Sequence, residues 1–432
     1  MKDDTALARY LQRHIEPDLP APPDLRTAWQ YALVIPAYRE SPRLLQSLTR
    51  SLEDAGGGLT ILVLNRPQGD PDTGANEALR TAVSSLPTKD DNLYRLDGAG
   101  DLYCHDLERE AGPTPSRQGV GLARKTGCDL ALLWWASGCI DSDWMGCTDG
   151  DATLPRDYFS RLQQLPPSVG AAVFPFEHLP GEDEQCNSAT ALYELRLHHY
   201  VLGLQYAGSP YAYHSLGSAT AVRFGAYARV RGFPRRSGAE DFYLLNKVSK
   251  LGPLARLEGE AIGLQSRPSS RVPFGTGPAV AEIAAAGPLK GQRLFYHPRS
   301  FEALRAVLQT LPQRRDPDHR GDELLLQAGL VADSARSCEH LLQDLGLEQA
   351  LAHCRRQART GEQFLRQFHQ WFDAFRTLKY LHALRDNLWP AQSLLALQGL
   401  EPQIWPGSPA LDVAAMRAGI RDHWHWLSAA GS

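Results

Sequence analysis

The sequence predicts an α/β protein in which a mixed, mostly parallel sheet is flanked by helices and an all-α C-terminal region follows. Short apolar runs alternate with amphipathic helices over the first half of the chain, and residues 31–35 and 59–64 are the clearest of these runs. From about residue 290 onward glycine becomes scarce and helical periodicity prevails. We therefore expect an N-terminal helix and connector over residues 1–29, an α/β domain over 30–285 and a helical region over 286–432.

The first elements follow one another closely. Residues 31–35 end at Pro36, which suits a buried parallel strand stopped by a residue without an N–H group. A helix with leucines on one face is expected from Pro42 to about residue 55, then a strand over 59–64 and a helix over 76–86. Because parallel sheets bind ligands beyond the carboxyl ends of their strands, the loops after these strands are candidate binding loops.

The middle of the chain continues the alternation. Residues 117–127 are expected to form a glycine-bearing loop that leads into a helix through about residue 133. We then expect a helix over 156–165, a strand over 170–174 and a helix over 189–204. Residues 214–223 indicate a loop feeding a strand, a short helix follows over 224–230, and a further helix is expected to begin near Glu240.

The C-terminal region reads as a series of helices over 301–311, 324–331, 335–345, 348–359 and 363–381. The last is expected to be the longest, and its aromatic residues form one wide stripe. Such a stripe is more often a packing face than a ligand site. The C-terminal helices are therefore a candidate contact surface for a homo-oligomer.

Composition and charge exclude some classes of partner. The formal net charge is −4 and the pI is near 6.4, which argue against general binding to nucleic acid. Seven cysteines without a Cys-x-x-Cys pair favour a reducing compartment. No signal-peptide pattern and no apolar run of about 18 residues is present in the sequence, so a cytoplasmic protein without a membrane span is expected.

The segment Asp149-Gly150-Asp151 follows the apolar run that ends near Cys147. Two carboxylates separated by one glycine can point into the same small volume, and Mg²⁺ or Mn²⁺ is commonly bound by one or two carboxylates together with substrate phosphates. Asp149 and Asp151 are therefore candidate metal ligands. Asp-Gly-Asp is equally compatible with a simple turn, because both residue types favour turns.

Two further groups of residues are candidates. Arg124 and Lys125 lie beside glycines near a predicted helix start, where they could attract phosphate, or they could form the solvated face of a helix. The spacing matches neither a P-loop nor a dinucleotide fingerprint. Glu240 and Asp241 lie in the first turn of a predicted helix, where one acid could cap the helix and the other could serve as a general base.

Taken in order, these motifs resemble glycosyltransferase family 2. The resemblance runs over roughly residues 30–280. It rests on the residues from Val34 to Glu40, the glycine-rich stretch ending at Lys125, the Asp-Gly-Asp segment, Gly217-Ser218-Ala219, Gly232-Phe233 and the Glu240-Asp241 pair. It implies the GT-A fold and transfer of a sugar from a UDP- or GDP-linked donor to a hydroxyl of a soluble acceptor, with inversion. It also implies a divalent cation, Mg²⁺ or Mn²⁺.

The resemblance assigns roles residue by residue. Asp241 would be the catalytic base and Glu240 would orient the acceptor, while Asp149 and Asp151 would contact ribose and the metal. The nucleotide-sugar would lie against Pro36, Ala37, Tyr38, Glu40, Asn65, Arg124, Lys125 and Asp149. Separately from the resemblance, Arg267 and Arg271 stand in a glycine-bearing segment. Their guanidinium groups are expected to meet the diphosphate or an anionic acceptor, and an ordinary solvated loop is the alternative.

The sequence departs from the family in two respects. An acid that reads the nucleobase usually follows the second strand, and Asn65 and Arg66 stand there instead. The Gln-x-x-Arg-Trp motif of processive synthases is absent, so a polymer synthase is not expected. Two other functions remain open: a sugar-phosphate nucleotidyltransferase, whose glycine-rich N-terminal loop is not found here, and a non-catalytic nucleotide-sugar-binding scaffold.

Overall fold

The computed structural model describes residues 4–24, 27–53, 57–267, 275–397, 404 and 413–422. It is a mixed α/β structure, with a large mixed sheet flanked by helices and a helical C-terminal region. The strands are β1 Ala32–Ala37, β2 Leu59–Leu64, β3 Thr88–Asp90, β4 Leu93–Leu96, β5 Gly100–Asp106, β6 Trp144–Cys147, β7 Ala152–Thr153, β8 Ala171–Val173, β9 Phe176–Leu179, β10 Thr220–Arg223, β11 Leu254–Arg256 and β12 Ile262–Gln265.

Helices accompany the strands and then continue alone to the end of the described residues. They are α1 Asp4–Arg13, α2 Arg43–Leu52, α3 Glu77–Ser84, α4 Leu107–Ala111, α5 Gly119–Ala136, α6 Tyr158–Gln163, α7 Glu184–Tyr206, α8 Phe224–Arg229, α9 Glu240–Val248, α10 Thr276–Ala285, α11 Pro298–Gln309, α12 Gly321–Gln327, α13 Ala332–Asp344, α14 Leu347–Gln357, α15 Gly361–Trp371, α16 Ala374–Asn387, α17 Leu394–Leu397 and α18 Val413–Asp422. Across the described ranges, no helix is both long enough and apolar enough to cross a bilayer.

The large sheet has the strand order β11-β8-β10-β6-β1-β2-β5-β4-β3. Its centre, β6-β1-β2-β5, is parallel, whereas β10 runs antiparallel to both β6 and β8, and β4 runs antiparallel to β5. A second, three-stranded sheet has the order β7-β12-β9. The central strands β1 and β2 are buried along their whole length, as expected for parallel strands covered on both faces.

Helix α5 lies directly on the central strands because Gly127 has no side chain. A Cβ atom at this position would lie 2.5 Å from Cγ1 of Val34 in β1 and 2.9 Å from Cγ2 of Val63 in β2. These distances are well inside van der Waals contact, so only glycine allows this approach. The glycine-bearing stretch predicted as a loop over 117–127 is therefore helical from Gly119 onward.

Contacts within the chain divide it into two compact units. One comprises residues 1–190 and 215–282, and the other comprises residues 191–214 and 283–432. The second half of α7 thus belongs with the C-terminal helices, an assignment that the helical pattern of the sequence did not indicate. Both sheets and both acidic motifs lie in the first unit.

Two further sequence expectations about individual elements are wrong. Pro36 does not end its strand: it pairs with Val63 inside β1, beyond the point where β6 stops pairing. The single helix expected over 363–381 is broken into α15 and α16. At the break the carboxylate of Asp373 accepts a hydrogen bond from the backbone N–H of Arg376, so Asp373 starts a new helix instead of continuing the old one.

Candidate functional site

The sheet topology brings the candidate loops to one edge. Because β1 and β6 are parallel neighbours, the loops that follow Ala37 and Cys147 leave the sheet on the same side. Strand β10 is antiparallel to β6, with Thr220 opposite Cys147, so the residues before Thr220 reach the same edge. Glu40, Asp149 and Gly217 are neighbours for this reason.

Arg124 joins the two acidic motifs. Its Nη2 donates to Oδ1 of Asp149 at 2.6 Å and its Nε donates to Oε1 of Glu240 at 3.1 Å. The side chain of Arg124 is 2% exposed, and its Nη1 donates to the carbonyl oxygen of Gly217 at 3.0 Å. Burial opposes the charged form, but the carboxylates of Asp149 and Glu240 outweigh it and raise the pKa of Arg124.

Gly217 is needed for this bridge. A Cβ atom there would lie 2.6 Å from Nη2 and 2.9 Å from Cζ of Arg124. The guanidinium group is held by three partners and cannot move aside without losing one of them. The glycine before β10 therefore makes room for Arg124.

A second arginine joins Glu40 to Asp151. The Nε of Arg267 donates to Oδ2 of Asp151 at 2.9 Å, and its Nη2 lies 3.1 Å from Oε1 of Glu40. Gly150 packs against Glu40, since a Cβ atom at Gly150 would lie 2.8 Å from Cδ of Glu40. Glu40 and the Asp-Gly-Asp segment are thus in contact, with Arg267 bridging their carboxylates.

The pKa values in this second group are shifted upward. Burial raises the pKa of Glu40 to about 8, with Arg267 opposing the shift and the negative charges of Asp151 and Asp149 adding to it. The pKa of Asp151 is also raised, first by burial and then by Asp149, again against the effect of Arg267. Arg267 therefore only partly offsets the negative charge at this end of the site.

Asp241 lies next to Glu240 in the first turn of α9. One carboxylate oxygen of Asp241 accepts from the backbone N–H of Phe242 at 2.7 Å. Burial and then the adjacent Glu240 carboxylate raise the pKa of Asp241 to about 7, against the opposing effects of the Phe242 amide and Arg124. A carboxylate that titrates near neutral pH is suited to general base catalysis.

Strained backbone precedes both groups of acids. Arg39, directly before Glu40, and Ala239, directly before Glu240, each have a φ of 55°. This left-handed conformation is costly for a residue with a side chain and is concentrated at functional sites in proteins. The strain sets the direction in which each following carboxylate leaves the backbone.

The sequence analysis did not single out Asp70, an acid in the loop that follows β2. The hydroxyl of Tyr38 donates to the carboxylate of Asp70, and Nη2 of Arg39 donates to Oδ1 of Asp70 at 2.9 Å. Asp70 follows β2 by only a few residues, so an acid does stand beside Tyr38 although not at the position expected from the family pattern. The cluster Asp70-Pro71-Asp72 was the available signal.

Asn65 and Arg66 are buried and take part in a separate network. The carbonyl oxygen of Asn65 accepts from the side-chain amide of Asn76 at 2.9 Å. The Nε of Arg66 donates to Glu108 at 2.6 Å, and the backbone carbonyl of Asp70 accepts from Nη1 of Arg66. This network fixes the loop after β2, which carries Asp70.

Lys125 lies in a different cluster from Arg124, although both were expected near the base or phosphates of the donor. Its Nζ donates to Asp129 at 2.7 Å, to the hydroxyl of Tyr10 at 2.7 Å and to the carbonyl oxygen of His14 at 2.8 Å. Adjacent residues on a helix point about 100° apart, so the two cations enter different clusters. Lys125 attaches the N-terminal helix to α5.

The remaining predicted site residues are Pro36, Ala37, Tyr38 and Arg271. Pro36 and Ala37 are buried in β1 next to the candidate site, and Tyr38 begins the loop that follows. Arg271 lies outside the described residues, so its expected contact with the diphosphate stays a prediction.

The acids outnumber the cations in this cluster. Among the residues that the structure describes, Glu40, Asp149, Asp151, Glu240 and Asp241 face two guanidinium groups, those of Arg124 and Arg267. Within the described ranges, no group of three or more His, Cys, Asp and Glu side chains is arranged to hold a metal ion by itself. Mg²⁺ bound through one or two carboxylates and substrate phosphates does not require such a group, and the donor oxygens and excess negative charge suit it.

Comparison with known proteins leaves the site to be interpreted from its geometry. No protein-family model matches the chain, and no curated protein matches it either.

Proposed function

We propose that this chain is an inverting glycosyltransferase that moves a sugar from a UDP- or GDP-linked donor to a hydroxyl group of a soluble acceptor. The observation that carries the proposal is the bridge from Asp149 through Arg124 to Glu240. This bridge joins the Asp149-Gly150-Asp151 and Glu240-Asp241 motifs, which are far apart in the sequence, into one cluster. A transfer reaction needs both in one place, one at the leaving diphosphate and one at the acceptor.

Asp149 and Asp151 would hold Mg²⁺ or Mn²⁺ at the diphosphate end, next to Glu40. When bound, the cation supplies Lewis-acid stabilisation of the charge that develops on the leaving diphosphate. Arg124 keeps Asp149 in place, and its buried position means that it acts on the donor through Asp149 rather than by direct contact. Tyr38, with Asp70 beside it, would border the nucleobase.

Asp241 would act at the acceptor end. The acceptor oxygen forms a bond to the anomeric carbon, the bond from that carbon to the diphosphate oxygen breaks, and the hydroxyl proton passes to the Asp241 carboxylate. Attack from the face opposite the leaving group inverts the anomeric configuration. Glu240 is held by Arg124 and would orient Asp241 and the acceptor.

The function is tested first through binding. We expect one nucleoside diphosphate, among UDP, GDP, ADP and CDP, to raise the melting temperature only when Mn²⁺ is present, because a ligand selective for the native state stabilises it by mass action. Asp151→Asn should abolish this shift, and Asp141→Asn, a change at an exposed acid in the same unit, should preserve it. The matching nucleotide-sugar is then assayed for release of the nucleoside diphosphate with candidate acceptors.

The outcomes separate the alternatives. A Mn²⁺-dependent shift without turnover on any acceptor or on water would favour the binding scaffold. Release of pyrophosphate from a nucleoside triphosphate and a sugar phosphate would favour the nucleotidyltransferase. A melting temperature that no nucleotide changes, with or without metal, would remove the basis of the proposal.

A further inference from the structure

A cavity lies within the unit formed by residues 191–214 and 283–432. Its volume is about 550 Å³, a size that suits a small organic molecule. Helix α11 forms one wall, and the turn between α12 and α13 forms another. None of the residues assigned to the proposed transfer reaction lines it.

Two arginines of α11 line this cavity. Within the described part of the chain, neither Arg299 nor Arg305 has an ion pair or a side-chain hydrogen bond. The guanidinium carbon of Arg305 lies 4.9 Å from the ring centre of Tyr206, another lining residue. This is within the range of a cation–π contact, which holds the guanidinium group near the ring and leaves N–H groups available to a ligand.

The start of α13 adds positive potential to the same cavity. Val331 is the N-cap residue and makes no side-chain cap, so no side chain of the N-cap satisfies the first N–H groups of this 13-residue helix. Val331 and Ser334, from the first turn, both line the cavity. The nearby acid Asp333 is 93% exposed and pairs with Arg336 at the surface.

Apolar groups surround these donors. Val331 is 69% exposed and Leu326 is 49% exposed, and they are among the few large apolar side chains that reach the surface of the described residues. Of these two, Val331 lines the cavity, together with Trp389 and Leu330. Exposed apolar groups at the rim of a cavity are typical of a ligand site.

One lining residue, Glu302, carries a negative charge that would repel an anion. Glu302 stands between the two arginines on α11 and, within the described residues, has no ion pair. Glu302 and Arg299 are both exposed and Arg305 is partly buried. The two guanidinium groups and the helix N-terminus together carry more positive charge than the single carboxylate carries negative charge. The net preference is therefore for negative charge.

We propose that this cavity binds a small molecule that carries a phosphate or carboxylate group on an aromatic or branched apolar body. Arg299 and Arg305 pair with the oxyanion, and Trp389 and Val331 cover the apolar part. This site is independent of the proposed transferase reaction and remains a binding site whether or not that reaction is found.

The experiment is isothermal titration calorimetry of the full chain with four probes: 1-naphthyl phosphate, 1-naphthoate, 1-naphthalenemethanol and inorganic phosphate. The two naphthyl anions should bind, and the neutral alcohol and inorganic phosphate should each bind at least about tenfold more weakly, since one lacks the charge and the other the apolar body. The tighter of the two anions identifies phosphate or carboxylate as the preferred group.

Three variants locate the site. The double variant Arg299→Ala/Arg305→Ala should weaken binding of the naphthyl anions at least about tenfold, and Arg320→Ala, an exposed arginine of the same unit, should not change it. Because Arg305 also stacks on Tyr206, Val331→Asp provides a second test at an exposed position and should weaken the anions through repulsion while sparing the neutral alcohol. Equal affinity for charged and neutral probes, unchanged affinity in both test variants, or no saturable binding up to about 1 mM would each overturn the proposal.

Discussion

Two neighbouring cations of helix α5, Arg124 and Lys125, enter clusters of opposite character. Arg124 meets a cluster with more acids than cations, in which Asp149 is 40% exposed. Lys125 meets Asp129, which is fully buried and accepts four hydrogen bonds, from the hydroxyls of Tyr10 and Tyr227, from Lys125 and from the backbone N–H of Glu16. The first cluster is open and carries surplus negative charge, whereas the second is closed and balanced.

The difference separates a structural ion pair from a candidate reactive site. A buried ion pair whose acceptors are all hydrogen-bonded has no free group for a ligand. Removing one partner of such a pair lowers the stability of the fold. Burial and neighbouring carboxylates raise the pKa values of Glu40 and Asp241. The negative charge of such a group is unfavourable where it lies, and binding a cation or a proton relieves it. Charge balance and access therefore distinguish the two clusters better than the presence of a lysine or an arginine does.

The largest effect is expected from Asp241→Asn. This change keeps the size of the side chain and removes the proton acceptor, so the rate of transfer should fall about 10²–10⁴-fold. Mn²⁺-dependent nucleotide binding should persist, measured by thermal shift in the same preparation. Retention of the full transfer rate would show that the open cluster is not reactive at Asp241.

Lys125→Met tests the closed cluster. It leaves the Asp129 carboxylate buried without its cation, and the free energy of unfolding should fall by about 3–5 kcal/mol in chemical denaturation. In the protein that remains folded, nucleotide binding should be unchanged, whereas the neighbouring change Arg124→Met should lower both stability and nucleotide binding. Identical behaviour of the two variants would contradict the division of roles along α5.

The pH dependence of transfer should follow Asp241. The base must be ionised to accept a proton, and its pKa is raised to about 7, so kcat/KM should rise with pH through about 7 and then level off. Between pH 6 and pH 5 the rate should fall about tenfold, because the ionised fraction falls by that factor. A rate that stays constant from pH 5 to pH 8 would exclude Asp241 as the base.

The smallest effect is expected from Arg267→Ala, which leaves the carboxylates of Glu40 and Asp151 without their shared cation. Mn²⁺ should bind up to about fivefold more tightly in the absence of nucleotide, because the cation no longer competes with a guanidinium group worth up to about 1 kcal/mol at a partly exposed pair. Titration calorimetry with Mn²⁺ alone measures this, with Arg336→Ala at an exposed position as the control. Weaker Mn²⁺ binding in Arg267→Ala would mean that the arginine supports the cation site instead of competing with it.

The regular elements of the first unit were largely predictable. The apolar runs over 31–35 and 59–64 correspond to β1 and β2, because a buried strand is apolar on both faces and leaves a continuous signal. Strands β3, β4 and β5 were missed: β3 is short, exposed and polar, and the buried strand β5 carries Asp101 and His105, which interrupt its apolar pattern. The break at Asp373 was missed because one capping residue interrupts an otherwise continuous helical pattern.

By itself, the sequence determined the α/β class, the helical C-terminal region and the identity of the acids at strand and helix ends, because these depend on local periodicity and local chemistry. Only the tertiary structure decided which partners those acids have. Arg124 joins Asp149 to Glu240, Arg267 joins Glu40 to Asp151, and Lys125 turns away to Asp129 and Tyr10. Most of these contacts link residues more than 100 positions apart, and Arg124 reaches Asp149 across 25 positions, so they arise from strand order and helix packing, which no local pattern encodes.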